Sequence, residues 1–564
     1  MATTSLSEAN GLRIAVEGCG HGVLHSIYAS VDAACERAGW PGVDLLIIGG
    51  DFQAVRNAND LACVSMPAKY WSMQDFHSYY SGERRAPYLT IFVGGNHEAS
   101  NYLFELHYGG WVAPNIYYLG AANVVRIGPL RIAGMSGIWK GYDYRKSHFE
   151  RLPYNADDVK SVYHTREVDV RKLLAIRTQV DIGISHDWPK GVEWEGDHSR
   201  LFRSKGHLEQ DARDGRLGNT AARQVLERLR PRWWFSAHLH VKFAATVEHV
   251  KPSNGESSIA TPTKETDIGK HTNGIDPQDG TETVPRTMAP GAAANDDEID
   301  LELEDDEGPA EASAVLHGAN GAPEPAAEEV QTENTEVSED VRAQLPEAFT
   351  RPKTPPPASL PFPSDISNNQ TKFLALDKCL PNRDFLQLLA VPIDGTSAEL
   401  QRPLKLHYDK EWLAITRVFA ADLVVGDVSH QVPRHKGEAH YRPLIEVEEQ
   451  WVEEHVNKTD GMQVPENFHI TAPVYDGQGI GKVEVPREYT NNQTRDYCKL
   501  LDIDNPFDMS EDERNSRMRQ GPRPAEPRGG SNDRGGGGRG RGPRRGDRGR
   551  GGRGRGRGGR GGRW

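Results

Sequence analysis

The chain has 564 residues, enough for two or more domains, and a net charge of −14 that hides an asymmetry: fourteen arginines against three acids lie between Gly521 and Trp564, so this tail is about +11 and the rest about −25. No stretch approaches eighteen consecutive apolar residues, and Met1–Asn10 is polar throughout; these features predict neither a membrane-spanning helix nor a secretory signal. Five cysteines (Cys19, Cys35, Cys63, Cys379, Cys498) show no Cys-x-x-Cys pairing and no disulfide spacing, which points to a reducing, intracellular compartment.

Leu12–Glu17 reads as a first strand, ending in Gly18-Cys19-Gly20-His21-Gly22. Val23–Arg37 then carries apolar residues at helical spacing, with Leu24, Ile27, Tyr28, Val31 and Ala34. Val43–Ile48 is a second buried strand, ending in Gly49-Gly50-Asp51-Phe52, and Tyr88–Val93 a third, ending in Gly94-Gly95-Asn96-His97-Glu98. Apolar runs separated by helical patterns predict βαβ units and an α/β fold whose sheet is covered on both faces.

Shorter strands follow at 115–119, 123–127 and 130–134, close enough together for an antiparallel meander. The segment from Ser136 to Arg166 has no strand signal and interleaves aromatic and basic residues, among them Trp139, Tyr142, Tyr144, Arg145 and Lys146. Val168–Thr178 looks helical, and Val180–Ile184 is a strand ending in Ser185-His186-Asp187. Thr220–Leu229 is a helix stopped by Pro231, and Trp233–Phe235 a strand ending in Ser236-Ala237-His238-Leu239-His240. Val241–Val247 is expected to return antiparallel to it.

The pattern then stops. Between Ala293 and Glu347 there are eighteen acids and one base, Arg342. Such a segment cannot bury enough apolar surface to offset its chain entropy, so 251–370 reads as a disordered acidic linker. Order is expected to resume with Thr371–Asp377. Residues 371–391 are read as packing back on a catalytic domain at 12–250, with a smaller C-terminal domain at 392–509. The Arg-Gly repeats of 510–564 read as a disordered tail, a composition suited to RNA or protein contacts.

Five strand ends thus carry metal-capable side chains: Cys19 and His21; Asp51; Asn96 and His97; His186; His238 and His240. Any one of these could be a helix cap or a solvated histidine. Their repetition at strand ends is the informative feature, because ligands bind at the carboxyl ends of strands in α/β folds. Oxygen and imidazole donors with one thiol suit two first-row divalent ions sharing a carboxylate. Two such ions, roughly 3.5–4 Å apart, can clamp a phosphate and acidify water.

The order Cys-x-His, Gly-Gly-Asp, Gly-Asn-His-Glu, Ser-His-Asp, His-x-His resembles the calcineurin-like metallophosphoesterases. In most of that superfamily the first motif is Asp-x-His; Cys19-Gly20-His21 instead resembles the RNA lariat debranching enzymes. Gly49–Ala54, Ser185–Pro189, Ala237–Phe243 and Thr371–Cys379 resemble the same family. The resemblance implies a four-layer α/β fold, two mixed sheets flanked by helices. It assigns Cys19, His21, Asp51 and His240 to one metal pocket and Asp51, Asn96, His186 and His238 to the other, with Asp51 bridging. The ions would be two of Fe2+, Zn2+ or Mn2+, with the soft Cys19 thiolate favouring iron or zinc.

By the same resemblance, His97 is the general acid and Ser136–Arg166 the lariat-recognition loop. The implied reaction is hydrolysis of the 2′–5′ phosphodiester at the branch point of intron lariats, during mRNA processing in the nucleus. Branched RNA would be the partner, with no membrane. Rival readings are a metallophosphoesterase or nuclease of other specificity, against which Cys19 and the aromatic loop argue, and a non-catalytic RNA-binding scaffold, against which the intact donor set argues.

Overall fold

Strand β1 (Gly11–Glu17) alternates between two cores: Leu12, Ile14 and Val16 face one, and Ala15 faces the other. That period of two is what a strand between two apolar layers requires. The computed structural model describes residues 11–249, 360–392 and 402–524. The acidic linker and the Arg-Gly tail expected from the sequence lie largely outside the described residues.

Two mixed sheets form the centre. The first has the order β12-β1-β2-β3-β5-β4, from Leu386–Pro392 (β12), Leu45–Ile48 (β2), Thr90–Phe92 (β3), Ile116–Tyr118 (β5) and Gly110–Ala113 (β4) around β1. Here β1, β2, β3 and β5 run parallel, and β12 and β4 close the edges antiparallel. The second has the order β10-β11-β9-β8-β7-β6-β13, from Phe243–Glu248 (β10), Gln370–Ala375 (β11), Trp233–Ser236 (β9), Ile182–Ser185 (β8), Leu130–Met135 (β7), Ala122–Ile127 (β6) and Leu406–Tyr408 (β13).

Helices supply the outer layers, completing four. Leu24, Ile27, Tyr28, Val31 and Cys35 of the helix Leu24–Ala38 lie on one helical stripe and pack with Ala15, Leu46, Ile48 and Phe92. Outside the second sheet, the helix Thr220–Leu229 buries Ala221, Ala222, Val225, Leu226 and Leu229 in the same core as Ile182, Ile184 and Trp234. Among the described residues, no helix is long and apolar enough to cross a membrane.

The C-terminal segment is built into both sheets. β12 pairs with β1 from Gly11↔Pro392 to Glu17↔Leu386, and β11 inserts beside β9. The expected antiparallel return of 241–247 onto Trp233–Phe235 is therefore corrected: β10 pairs with β11, which takes the place next to β9. Phe373 and Ala375 on β11 are buried, so the strand from beyond the linker supplies the apolar face that this position needs.

β13 leads into the helix Lys410–Phe419, which buries Trp412, Leu413, Ile415 and Phe419. At about 1.5–3 kcal/mol for each such side chain, this burial is the main term holding the segment down. Asp409 caps the helix by accepting from the Trp412 N–H (3.0 Å) and takes a two-point pair from Arg131 (2.6 and 2.9 Å). The segment assigned to a tail from 510 begins with another helix, Glu511–Gln520. Ser510 and Glu513 form a capping box at its start, and Arg517 and Arg519 lie in its last turn, both favourable to the helix dipole.

Candidate active site

The five strand ends meet. β1, β2 and β3 in one sheet and β8 and β9 in the other direct their carboxyl ends to one crevice. Ligand-capable atoms of Cys19, His21, Asp51 and His240 lie within 4.8 Å of one another. Asp51 reaches the other side as well. Its Oδ1 is 3.5 Å from His186 Nε2, which is 3.2 Å from Asn96 Oδ1. The His238 ring lies 4.9 Å from that of His186, and the His238 backbone N–H donates to Cys19 Sγ (3.2 Å). Seven residues thus form two donor groups about one carboxylate.

The local backbone is built for this. His21, Asp51, His238 and His240 have φ of 41°, 45°, 63° and 46°, a region that costs a non-glycine residue about 1–3 kcal/mol. Backbone pairing between the two loops holds part of that geometry: Gly20 N–H donates to Gly50 O (3.0 Å) and His21 N–H to Asp51 O (2.6 Å). At Gly50 (φ 125°) a Cβ would stand 2.2 Å from His186 Nδ1, and at Gly95 a Cβ would stand 2.2 Å from Asp51 Oδ1. Any side chain at either position would displace a donor.

The electrostatics fit cations. Burial lowers His21 and His186 to about 4, and burial with the His21 charge takes His240 well below its ordinary value. These imidazoles are neutral near pH 7 and keep a lone pair each. Burial raises the Asp51 carboxyl, but His186, His97 and His21 outweigh it, and the group sits well below the usual carboxylate range. His186 Nδ1–H donates to Gly49 O (3.0 Å), so Nε2 is an acceptor facing another acceptor, Asn96 Oδ1. Two acceptors at 3.2 Å repel unless a cation lies between them, and the donor set suits divalent metal ions.

His97 sits beside this set without joining either donor group. Its ring centroid is 6.1 Å from that of His21, and its Nδ1–H donates to Ser65 O (2.8 Å). Glu98, given no role from the sequence, staples the loops together. Its carboxylate accepts from the backbone N–H of Phe52 (2.8 Å), Gln53 (2.8 Å) and Gly95 (2.9 Å). Burial and the Asp51 charge push it up to about 8 against those three donors. The Gln53 side-chain amide lies against His21 Nδ1 at 3.2 Å. A carboxylate directly after a ligand loop was the available signal for Glu98; Gln53 had none.

The segment Ser136–Arg166 is rooted at the site. Ser136 Oγ accepts from Gly94 N–H (2.8 Å), and Gly137 N–H donates to Gly94 O (2.8 Å). Tyr142 is 71% exposed with its ring edge-on to His164 at 5.9 Å, and the Arg145 side chain is 63% exposed with its Nε 3.4 Å from Glu167, so both present an outer face to solvent. Trp139 instead packs on Tyr144 at 4.9 Å, and Lys146 pairs with Asp143 at 2.7 Å. A second buried group joins His148 of this segment to His107 and Asp169. There Lys172 Nζ stands 3.0 Å from Asp169 and already supplies the positive charge.

Residues 12–242 match the calcineurin-like phosphoesterase model, and residues 368–506 match the model of the lariat debranching enzyme C-terminal domain. The chain is similar to the lariat debranching enzyme of Schizosaccharomyces pombe, with 37% identity over 86% of this chain and 94% of that one. It is likewise similar to the lariat debranching enzymes of Homo sapiens (36% identity, 87% of this chain, 69% of that one) and Danio rerio (37% identity, 87% and 66%). With this coverage, and with the two matched regions joined in one pair of sheets that carries the donor set, the chain belongs to the lariat debranching enzyme family of calcineurin-like phosphoesterases.

Proposed function

We propose that this protein hydrolyses the 2′–5′ phosphodiester at the branch point of intron lariats, releasing a 2′-hydroxyl and a 5′-phosphate. The observation that carries the reading is the convergence of two donor groups on the Asp51 carboxylate, with neutral, lone-pair-bearing His21 and His240 beside Cys19 in one and neutral His186 in the other. Cys19, His21, Asp51 and His240 would hold one divalent ion, and Asp51, Asn96, His186 and His238 a second. Of Fe2+, Zn2+ and Mn2+, the Cys19 thiolate favours iron or zinc. Such ions polarise the phosphoryl oxygens and provide a nucleophile near neutral pH.

The chain's own groups do the rest. The Ser65 carbonyl fixes His97 Nδ1–H and leaves Nε2 to give a proton to the departing O2′. Tyr142 offers a ring for an unpaired base and Arg145 a guanidinium for a phosphate. The Arg-Gly tail adds a second site for RNA or protein contacts, and the substrate places the enzyme in the nucleus, which imaging of the tagged protein tests. The deciding assay compares a synthetic 2′–5′ branched oligonucleotide with its linear counterpart while iron, zinc and manganese are titrated separately. Selective cleavage of the branched substrate is expected. Equal cleavage of both would indicate a phosphoesterase of other specificity, and no cleavage with full metal loading would indicate a binding scaffold.

A further inference from the structure

Two hydrogen bonds connect the recognition loop to His97. The Tyr163 hydroxyl donates to Ser65 Oγ (3.2 Å), and the Ser65 carbonyl accepts from His97 Nδ1–H (2.8 Å). Ser65 is buried, and so is His97. The loop is therefore attached on both sides of the Gly94–Glu98 turn, by Ser136 and Gly137 to Gly94 at its start and by Tyr163 to Ser65 at its return. Tyr163 is further fixed through its backbone: its carbonyl accepts from Ile138 N–H (3.3 Å) and lies so near Gly137 that a Cβ there would stand 2.0 Å away. The return of the loop is thus registered against its start.

We propose that Tyr163 is a positioning residue for leaving-group protonation: through Ser65 it sets the ring of His97, so that proton delivery depends on the seating of the recognition loop. This rests on the reading of His97 as the proton donor. In the step concerned, water gives up one proton to solvent, its oxygen forms the new bond to phosphorus as hydroxide, and the P–O2′ bond breaks to leave the 5′-phosphate monoester. The electron pair leaves on O2′, which takes the Nε2 proton and becomes the free hydroxyl, while His97 is left as neutral imidazole. The geometry of that transfer is sensitive to displacements well under 1 Å. A ring held at Nδ1 by one carbonyl is only as well placed as the residue that presents the carbonyl.

The test uses Tyr163→Phe, which removes one oxygen, with Ser65→Ala, the double variant and His97→Ala, all in the metal-loaded full chain. Two substrates are compared: a branched oligonucleotide, whose alkoxide must be protonated, and bis(4-nitrophenyl) phosphate, whose leaving group needs no proton. Tyr163→Phe is expected to lower kcat on branched RNA about tenfold, with KM, metal content and nitrophenyl hydrolysis within twofold of the parent. Ser65→Ala should do the same, and the double variant should be no worse than either. Equal losses on both substrates, a change confined to KM, or additive losses in the double variant would each overturn the assignment. If His97→Ala is selective for branched RNA and Tyr163→Phe is not, the inference alone falls. If His97→Ala is not selective, the reading of His97 falls and takes the inference with it.

Discussion

The backbone N–H of His97 donates to Asp51 Oδ1 over 2.8 Å, so the carboxylate shared by the two donor groups also fixes the chain at the proposed proton donor. Asp51→Asn keeps an oxygen for that bond but removes the negative charge between the donor groups. We expect a loss of at least about a hundredfold in turnover together with loss of bound metal. His97→Ala should lose roughly 10²–10⁴ in turnover with metal content unchanged. Elemental analysis of both variants beside turnover on branched RNA checks the pair, and a metal-depleted His97→Ala would remove the proton-donor role.

The recognition loop should divide by exposure. Tyr142→Ala is expected to raise KM for branched RNA by the value of one stacked base, about 1–3 kcal/mol, without a change in thermal stability. Arg145→Ala should reduce the salt dependence of binding by roughly 0.7 in log–log slope, one phosphate contact on a single strand. Trp139→Ala should behave differently and lower Tm, because its ring packs on Tyr144. Fluorescence titration at several salt concentrations and a melting curve separate the three.

Acid should weaken the fold in a predictable direction. Burial lowers His107 from 6.5 to about 4, against the pull of Asp169, which is 3.4 Å away. His148 and Lys172 face the same carboxylate, and Phe507 stacks on the His107 ring at 4.8 Å. A folded pKa below the unfolded one means the unfolded chain binds the extra proton first. The contribution is complete above pH 6.5 and is lost as pH falls from there towards 4. At pH 5.5 the loss from His107 is about 1 kcal/mol. His21 and His186 have the same sign in metal-free protein, so the comparison is with His107→Phe. Between pH 7.5 and 5, the Tm of that variant should decline less steeply than the parent's. Parallel declines would show that His107 titrates normally.

Asp409 has two roles that one substitution removes together. Asp409→Ala deletes the cap of the helix Lys410–Phe419 and leaves Arg131, buried, with only Glu411 as its carboxylate partner (2.9 Å). A cost of about 2–4 kcal/mol in unfolding free energy is expected, most of it from the buried Arg131 N–H groups that lose their Asp409 acceptors while Glu411 still balances the charge. Chemical denaturation measures it, and a cost near 1 kcal/mol would show that only the cap mattered.

The strand ends were legible because each is a local event: an apolar run stops at glycine and a donor follows. Cys19, Asp51, Asn96, His186 and His240 could be placed at strand termini from the residues alone. What brings them together was not local. The insertion of β11 between β9 and β10 depends on pairing across the whole linker, and no spacing rule encodes it. Glu98 carried a signal of place, a carboxylate after a ligand loop, but none of role, since two of its three partners are backbone N–H groups on a different loop. The helix Glu511–Gln520 did carry a local signal, Ser510 with Glu513, which the arginine-rich composition nearby obscured.

Glu248 and Gln370 are cross-strand partners, so the chain leaves the second sheet on β10 and re-enters at the adjacent position on β11. In polymer terms, everything between them is the connection of one antiparallel hairpin. The entropy of closing such a connection grows as the logarithm of its length, and doubling it costs only about 0.6 kcal/mol. The acidic segment can therefore lengthen, shorten or change its sequence at almost no expense to the sheet that carries His238 and His240. The re-entry point is held by the residues just ahead of β11, where Ile366 is buried and the Asn368 amide donates to Arg230 O (3.0 Å) and Pro231 O (3.1 Å), so new sequence can accumulate before them while the chemistry stays fixed.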